Sequence, residues 1–163
     1  MTAGEITFRR AEAANMPLLD RMLREFFVEL GEPGAERDRT EALLRHGAGP
    51  APMFRAILAL AGETPQGLAV YFPEFSTWRA EPGVYVQDLY LVPDARGSGL
   101  GPRLLAATLR DAASWGAAYL KLTVHGHNHP AMAFYRRLGF QRPEQDMPFT
   151  LEGAAFKRLG AMA

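Results

Sequence analysis

The sequence of 163 residues contains no cysteine, which excludes disulfide bonds, thiolate metal sites and a cysteine nucleophile. It has no excess of charge either, because 18 basic and 18 acidic side chains give a formal net charge of +0. We therefore expect neither nucleic acid nor an anionic membrane surface as a partner. No apolar run approaches the roughly 20 residues that a membrane span needs, and residues 1–5 lack the basic and apolar blocks of a signal peptide. These absences predict a cytoplasmic protein.

The composition is that of an ordinary globular chain, with 48% hydrophobic and 22% charged residues. A chain of this length can bury a sizeable core within one domain. The sequence shows no internal repeat and no low-complexity tract. We therefore predict a single domain over residues 1–163.

The spacing of apolar residues predicts an α/β (α+β) chain. Residues 16–30 carry one apolar stripe at helical spacing, whereas residues 84–91 are rich in β-branched and aromatic side chains. The other predicted strands are residues 6–9, 53–61, 67–72 and 119–124 and a last one around Phe149, and the other predicted helices are 37–46, 101–115 and 130–138. Residues 73–83 are predicted to be a connecting loop. The strand–helix–strand order in the second half predicts a crossover between parallel strands.

A glycine-rich segment follows the strand at 84–91 and precedes an amphipathic helix. It consists of Arg96, Gly97, Ser98, Gly99, Leu100 and Gly101. Glycines let the backbone turn sharply, and a helix N-terminus presents unpaired N–H groups and a positive dipole end. The segment is therefore suited to binding a phosphate group, with a charge-assisted contact from Arg96.

Two familiar phosphate loops do not fit this segment. A P-loop ends in Gly-Lys-Ser/Thr, but here the loop ends Gly101-Pro102-Arg103. A dinucleotide fingerprint needs glycine three residues after Gly99, and that position holds Pro102. Both mismatches argue against a nucleotide-binding protein.

A second motif lies one helix and one strand further along the chain. It reads Asn128-His-Pro-Ala131-Met-Ala-Phe-Tyr135, followed by Gly139-Phe140. Together with Arg96-x-x-Gly99-x-Gly101, it resembles the paired signatures of the GNAT N-acetyltransferase superfamily. Within it, the segment Tyr85-Val-Gln-Asp88-Leu-Tyr resembles the diamine and polyamine branch. The resemblance implies a mixed central sheet with splayed strands and flanking helices.

The resemblance also implies acetyl-CoA as cosubstrate and no metal. The main chain at Leu91 and Val92 is expected to hold the pantetheine arm, and the glycine loop, residues 96–101, its pyrophosphate. Asn128 of the second motif is expected to contact the cofactor from the other side. The amine attacks the thioester directly, and Tyr135 occupies the position of the acid that protonates the leaving thiolate. The other interpretation of Tyr135 is a core side chain packing beside Phe134.

The general base is not assigned by the sequence. In the branch that this chain resembles, the residue before Asp88 is usually a glutamate, but here it is Gln87, which accepts no proton. Strand alternation predicts that Asp88 points to the opposite face from Gln87, where it is either catalytic or hydrogen-bonded at a strand distortion. A water chain ending at Glu74, Asp88 or a histidine is the other interpretation. Three alternate histidines, His125, His127 and His129, suit a proton shuttle better than a metal site, since no acidic cluster accompanies them.

The substrate is expected to be a primary amine on a small molecule. By analogy with the family, the candidate substrate-binding residues are Glu29, Glu74, Trp78 and Asp88, since acidic and aromatic side chains suit a cation. The alternatives are acetylation of a protein N-terminus or lysine, and a CoA-binding module without turnover. A homodimer is expected by the same analogy.

Overall fold

The structure is a computed structural model that describes residues 5–144 and 148–162. The chain separates into two compact units, Met1–His125 and Gly126–Ala163. No helix of the described residues is long and apolar enough to cross a membrane. The single domain predicted for residues 1–163 stays a prediction.

The first unit is built on one mixed sheet of five strands in the order β1-β2-β3-β4-β5. Its strands are β1 Ile6–Arg10, β2 Arg55–Ala61, β3 Thr64–Ser76, β4 Glu81–Leu91 and β5 Leu120–Leu122. Its helices are α1 Met16–Leu30, α2 Thr40–Gly47 and α3 Leu100–Ala112. The first four strands are antiparallel neighbours, and β5 is parallel to β4. The predicted crossover and the mixed sheet are therefore confirmed.

Helices cover both faces of this sheet. The apolar stripe of α1 buries Leu19, Met22 and Leu23 against Leu58 of β2 and Leu68 of β3. Side chains alternate along a strand, so the neighbouring residues of β2 and β3 are directed to the other face. There α3 contacts β2, β3 and β4 and buries a second stripe, which consists of Leu100, Leu104, Leu105, Ala107, Thr108 and Ala112.

The strands β4 and β5 part soon after they meet. They pair only from Val84↔Leu120 to Val86↔Leu122. Beyond Val86, the part of β4 that leads to the glycine loop has no partner on its β5 side within the described residues. This gap matches the splayed strands that the family resemblance implies.

Two predicted elements were wrong. Residues 73–83 do not form a loop, because β3 continues to Ser76 and β4 begins at Glu81, so the two strands make a long hairpin with Trp78 in its turn. Pro73, Pro82 and Gly83 are residue types typical of loops, and the two long strands accommodate them here. No strand forms around Phe149 among residues 148–152, and Phe149 is 94% exposed.

The second unit contributes two short helices, α4 His129–Arg137 and α5 Gly153–Gly160. Asn128 is the N-cap of α4, and its side-chain oxygen accepts a hydrogen bond from the N–H of Ala131 at 3.2 Å. Pro130 stands in the first turn, where its missing N–H costs no helical hydrogen bond. The predicted helix over 130–138 is thereby confirmed.

Candidate active site

The loop between β4 and α3 takes the form that its glycines predict. Gly97 and Gly99 have φ angles of 73° and 78°, a region that residues with a side chain rarely adopt. A Cβ atom built at either glycine meets nothing within 4 Å, so the space beside the loop is open. The first turn of α3 presents N–H groups without helical partners, apart from Pro102, which has none. The loop therefore fits an anionic group such as a pyrophosphate.

The main chain at the end of β4 is already engaged within the protein. The Leu91 carbonyl accepts from Arg96 Nε at 3.0 Å, and the Val92 N–H donates to the Gln66 carbonyl at 3.0 Å. The Val92 carbonyl accepts from the N–H of Ala95 at 2.9 Å. A carbonyl oxygen has two lone pairs, so each of these carbonyls can accept one further hydrogen bond from a pantetheine arm.

Arg96 and Glu29, which the sequence assigned to the cofactor and substrate sides, lie together. Arg96 Nη2 donates to Glu29 Oε2 at 2.6 Å, and its guanidinium lies 5.8 Å from the centre of the Tyr90 ring. Ser98 turns its hydroxyl inward and donates to the Ala95 carbonyl at 2.6 Å. The side chains of Arg96 and Ser98 thus stabilise the loop, while its main-chain N–H groups remain the candidate anion donors.

An open cavity of about 690 Å³ lies beside β4 in the first unit. Three segments form its walls: the end of α1 with the loop that follows, the middle of β4, and the residues after β5. The lining residues are Phe26, Phe27, Leu30, Glu32, Pro33, Arg39, Tyr85, Gln87, Asp88, Thr123, Val124 and His125.

A β-bulge in β4 brings Gln87 and Asp88 to this one cavity. On β3, Val70 pairs with Asp88 and the next residue, Tyr71, pairs with Val86, so Gln87 is the extra residue. A bulge breaks the alternation of side chains along a strand. The expectation that Asp88 faces away from Gln87 was therefore wrong, because both residues line the cavity.

Asp88 is a carboxylate without a fixed partner. Among the described residues, no hydrogen bond or ion pair reaches its side chain, so the bulge does not hold it in the hydrogen-bonded role considered above. Burial raises the pKa of Asp88 to about 6. The group is mostly ionised at neutral pH and can still take up a proton close to that pH.

Other polar side chains line the same cavity. His125 Nε2 lies 3.3 Å from Glu32 Oε1, an ion-pair distance when the imidazole is protonated. The Tyr85 hydroxyl and Thr123 Oγ1 share a hydrogen bond of 2.8 Å. The sequence analysis did not identify Tyr85, Thr123 and Arg39 as lining residues. Tyr85 could have been found, because it lies two residues before Gln87 on β4 and side chains alternate along a strand.

The remaining predicted substrate residues do not line the cavity. Glu74 lies on β3 with Lys121 Nζ 3.8 Å from its carboxylate, and Trp78 is 93% exposed in the hairpin turn. Of the four candidates, the structure brings only Asp88 to the cavity.

Tyr135 packs within the second unit. Its ring meets Phe134 and Phe140 edge-on at centroid distances of 5.1 and 5.3 Å. Burial raises the pKa of Tyr135 to about 12, so its hydroxyl keeps its proton at any physiological pH. No group of three metal-ligating side chains occurs in the part of the chain that the structure describes, the three histidines included.

Comparison with known proteins decides the family. A model of the acetyltransferase (GNAT) family matches residues 17–140 of the chain. The chain belongs to the GNAT family. It is an N-acetyltransferase, and its relatives carry that activity in their names. A thialysine N-epsilon-acetyltransferase of Bos taurus is 30% identical over 166 residues, which cover 94% of this chain and 96% of that protein.

Solved structures of this family have the same fold. A putative acetyltransferase from Arthrobacter sp. FB24 is 32% identical with a TM-score of 0.69, covering 94% of this GNAT chain and 97% of the other. An aminoglycoside N-acetyltransferase in complex with CoA has a TM-score of 0.72 at 17% identity, covering 91% and 96% of the two chains. The second likeness extends to the fold alone.

Proposed function

We propose that this N-acetyltransferase transfers an acetyl group from acetyl-CoA to a primary amine of a small cationic molecule, and that the cavity beside β4 receives the amine. Acetyl-CoA, when bound, supplies the acetyl group as an activated thioester. The open glycine loop and the free edge of β4 fit its pyrophosphate and pantetheine, through the N–H groups of residues 97–101 and the main chain at Leu91 and Val92. Asn128 is proposed to contact the cofactor through its amide N–H₂, since its oxygen caps α4.

The observation that carries the proposal is the unpartnered Asp88 carboxylate, which the bulge directs into the cavity. A primary amine has a pKa of about 10 and is mostly protonated at neutral pH. It must lose a proton to attack a carbonyl carbon, and a positioned carboxylate accepts that proton. Asp88 is thus the proposed general base, a role that the amide of Gln87 cannot fill.

The acid in the same reaction is Tyr135. The leaving thiolate needs a proton, and the raised pKa of Tyr135 keeps a proton on its hydroxyl. Because the amine attacks directly, the chain needs no nucleophile of its own, and the sequence offers no cysteine for that role.

A small cationic substrate is favoured by the charge and shape of the cavity. Two carboxylates, Asp88 and Glu32, line it together with the rings of Phe26, Phe27 and Tyr85. The one arginine among its described lining residues, Arg39, donates its guanidinium N–H groups to three loop carbonyls. Such a combination suits a cation that stacks against rings. Three curated relatives, each matching at least 93% of the chain, are named for acetylation of thialysine, itself a small amine. A cytoplasmic location and a homodimer remain predictions.

The test combines cofactor binding with turnover. Purified protein is titrated with acetyl-CoA by calorimetry and then supplied with a panel of thialysine, lysine, diamines, aminoglycosides and a lysine-containing peptide, while free thiol is measured. We expect binding, followed by amine-dependent thiol release with a small diamino compound. A preference for the peptide would indicate that the substrate is a protein and not a small molecule. Binding of acetyl-CoA without thiol release would favour a CoA-binding module. No binding of acetyl-CoA would overturn the proposal.

A further inference from the structure

We propose that Asp20 and Arg39 are positioning residues that set the amine half of the cavity by holding one loop in place. The loop comprises residues 31–39, between α1 and α2, and it brings Glu32, Pro33 and Arg39 itself to the cavity wall. This inference rests on the proposed function, since it assumes that the cavity receives the amine. It adds two residues that neither the family motifs nor the sequence analysis singled out.

One guanidinium organises the main chain of the loop. Arg39 Nη1 donates to the carbonyls of Ala35 and Arg37 at 3.1 and 2.6 Å, and Nη2 donates to that of Gly34 at 3.0 Å. These bonds hold a segment that has turns but no regular helix or strand. A planar fork with several fixed donors serves three acceptors together, and a lysine ammonium cannot reproduce that geometry.

A buried carboxylate ties this loop to α1. Asp20 is 0% exposed, and its Oδ1 accepts a hydrogen bond of 2.9 Å from the N–H of Arg39. Arg24 Nε lies 2.8 Å from Asp20 Oδ2, off the direction of a hydrogen bond, so that attraction is one of charge. An ionised carboxylate is costly to bury, and it is retained where its bonds fix a structure. Here they fix the end of the loop.

The same arginine also contacts the cavity wall from the other side. Its guanidinium carbon lies 5.0 Å from the centre of the Phe27 ring, and Phe27 lines the cavity. The chain of contacts therefore runs from Asp20 through Arg39 to both Phe27 and the loop with Glu32. Loss of either end leaves the cavity wall free to shift, while the glycine loop is not part of this chain of contacts.

The test compares Asp20→Ala, Asp20→Asn and Arg39→Lys with the wild-type protein, and uses Asp111→Asn as the matched control. Asp111 is likewise an aspartate with arginine partners, although it is half-buried where Asp20 is fully buried, and it fastens α3 to the sheet away from the cavity. For each variant, KM for the amine, kcat, the affinity for acetyl-CoA and amide hydrogen exchange of residues 31–39 are measured.

We expect Asp20→Ala and Arg39→Lys to raise the amine KM about tenfold or more, because a small misplacement of a binding wall is costly. The affinity for acetyl-CoA should stay within about twofold, and exchange at the N–H groups of Ala35, Arg37 and Arg39 should accelerate at least about tenfold. Asp20→Asn keeps an acceptor for the Arg39 N–H and should fall between wild type and Asp20→Ala. Asp111→Asn should lower stability without changing the amine KM.

Two results would overturn the inference: unchanged exchange of the loop in all three variants, or an amine KM that moves no more than it does in Asp111→Asn. If Asp20→Ala does not fold, Asp20→Asn and Arg39→Lys still decide the matter. If the wild-type protein binds acetyl-CoA but acetylates no amine, the proposed function has failed, and hydrogen exchange still determines whether Asp20 and Arg39 hold the loop.

Discussion

Asp88 and Asp111 are two partly buried aspartates in the same unit, and their pKa values are shifted in opposite directions. Asp88 stands at the bulge of β4 without a partner, and burial raises its pKa. Burial acts in the same direction on Asp111, but hydrogen bonds from Arg55 and Tyr71 and the charge of Arg10 outweigh it and lower the pKa.

The difference lies in what each carboxylate contacts. The Asp111 carboxylate contacts Arg10 Nη2 at 2.7 Å, Arg55 Nη1 at 2.8 Å and the Tyr71 hydroxyl at 2.8 Å. These contacts join α3 to the strands β1, β2 and β3. A carboxylate with its oxygens so occupied is committed to the fold. Asp88 has its oxygens available to a ligand, and the stability that a partner would have given is absent. Asp111 therefore stabilises the fold, whereas Asp88 keeps the free carboxylate that the proposed function requires.

The largest expected effect is on turnover. Asp88→Asn removes the proton acceptor while keeping the shape of the side chain, so kcat should fall roughly 100-fold or more. Steady-state thiol release with the amine substrate measures it, and Asp111→Asn, with kcat within about twofold of wild type, is the control. Equal losses in the two variants would erase the distinction between them.

A pH profile separates the two aspartates next. Since the pKa of Asp88 is about 6, the ionised fraction of Asp88 is about tenfold lower at pH 5 than at pH 7. Loss of the ionised base should lower kcat/KM by the same factor. The wild-type enzyme can use the abundant ammonium form of the amine, because Asp88 removes its proton, so kcat/KM should level off above about pH 7. Asp88→Asn depends on amine that is already neutral, so its kcat/KM should rise steadily with pH. The variant should lack the inflection near pH 6; the same inflection in Asp88→Asn would assign it to another group.

The bulge itself can be tested by moving the carboxylate one residue. Gln87→Glu in the Asp88→Asn background should restore at least about tenfold of the lost kcat, because both side chains line one cavity. Glu74→Gln in that background provides a control on a residue outside the cavity. Rescue by Gln87→Glu depends on the bulge, since in a regular strand the new carboxylate would face away from the side chain at position 88. Lack of any rescue would argue against the shared orientation.

The smallest expected effect is on stability. The contributions of the two aspartates to the free energy of unfolding should change with pH in opposite directions. Asp111→Asn should cost about 2 kcal/mol through weakened bonds to charged groups, lowering Tm by roughly 4–8 °C at neutral pH. Because the folded pKa of Asp111 is lowered, its contribution is present above the unfolded pKa of about 3.9 and is lost as the pH falls through the folded value.

For Asp88 the sign is reversed. Its folded pKa is raised, so its contribution to stability is complete below an unfolded pKa of about 3.9 and is lost as the pH rises through about 6. Asp88→Asn should therefore raise Tm at pH 8, with a gain that shrinks towards pH 4. Thermal unfolding of the wild-type protein and both variants from pH 2 to pH 8 measures the two slopes, that of Asp111 below about pH 4 and that of Asp88 above it. Slopes of the same sign would contradict the assigned environments.

The sequence predicted those features that depend on local patterns. The apolar stripe of residues 16–30 gave α1 with its observed bounds, and the positions of Gly97 and Gly99 gave the loop before α3. The hairpin of β3 and β4 was missed because Pro73, Pro82 and Gly83 are turn residues in most contexts. Their place in long strands is set by pairing across the sheet, which local sequence does not contain.

The candidate site was predicted less completely for a similar reason. The bulge at Gln87 arises from the register between β3 and β4, so alternation alone misplaced Asp88. Asp20 looks like a surface residue of an amphipathic helix, and its burial becomes apparent only when Arg39 folds over it. Arg39 itself lies nineteen positions along the chain, outside any motif.

The bulge in β4 also bears on how relatives of this chain are compared. Where two consecutive side chains reach the same space, an acid can move from one to the next during evolution without a change of backbone. An alignment scored column by column would then record a glutamine where an acid is expected and would class the protein as inactive. Functional assignment by homology in this family is better based on which side chains share the cavity than on the identity of one aligned position.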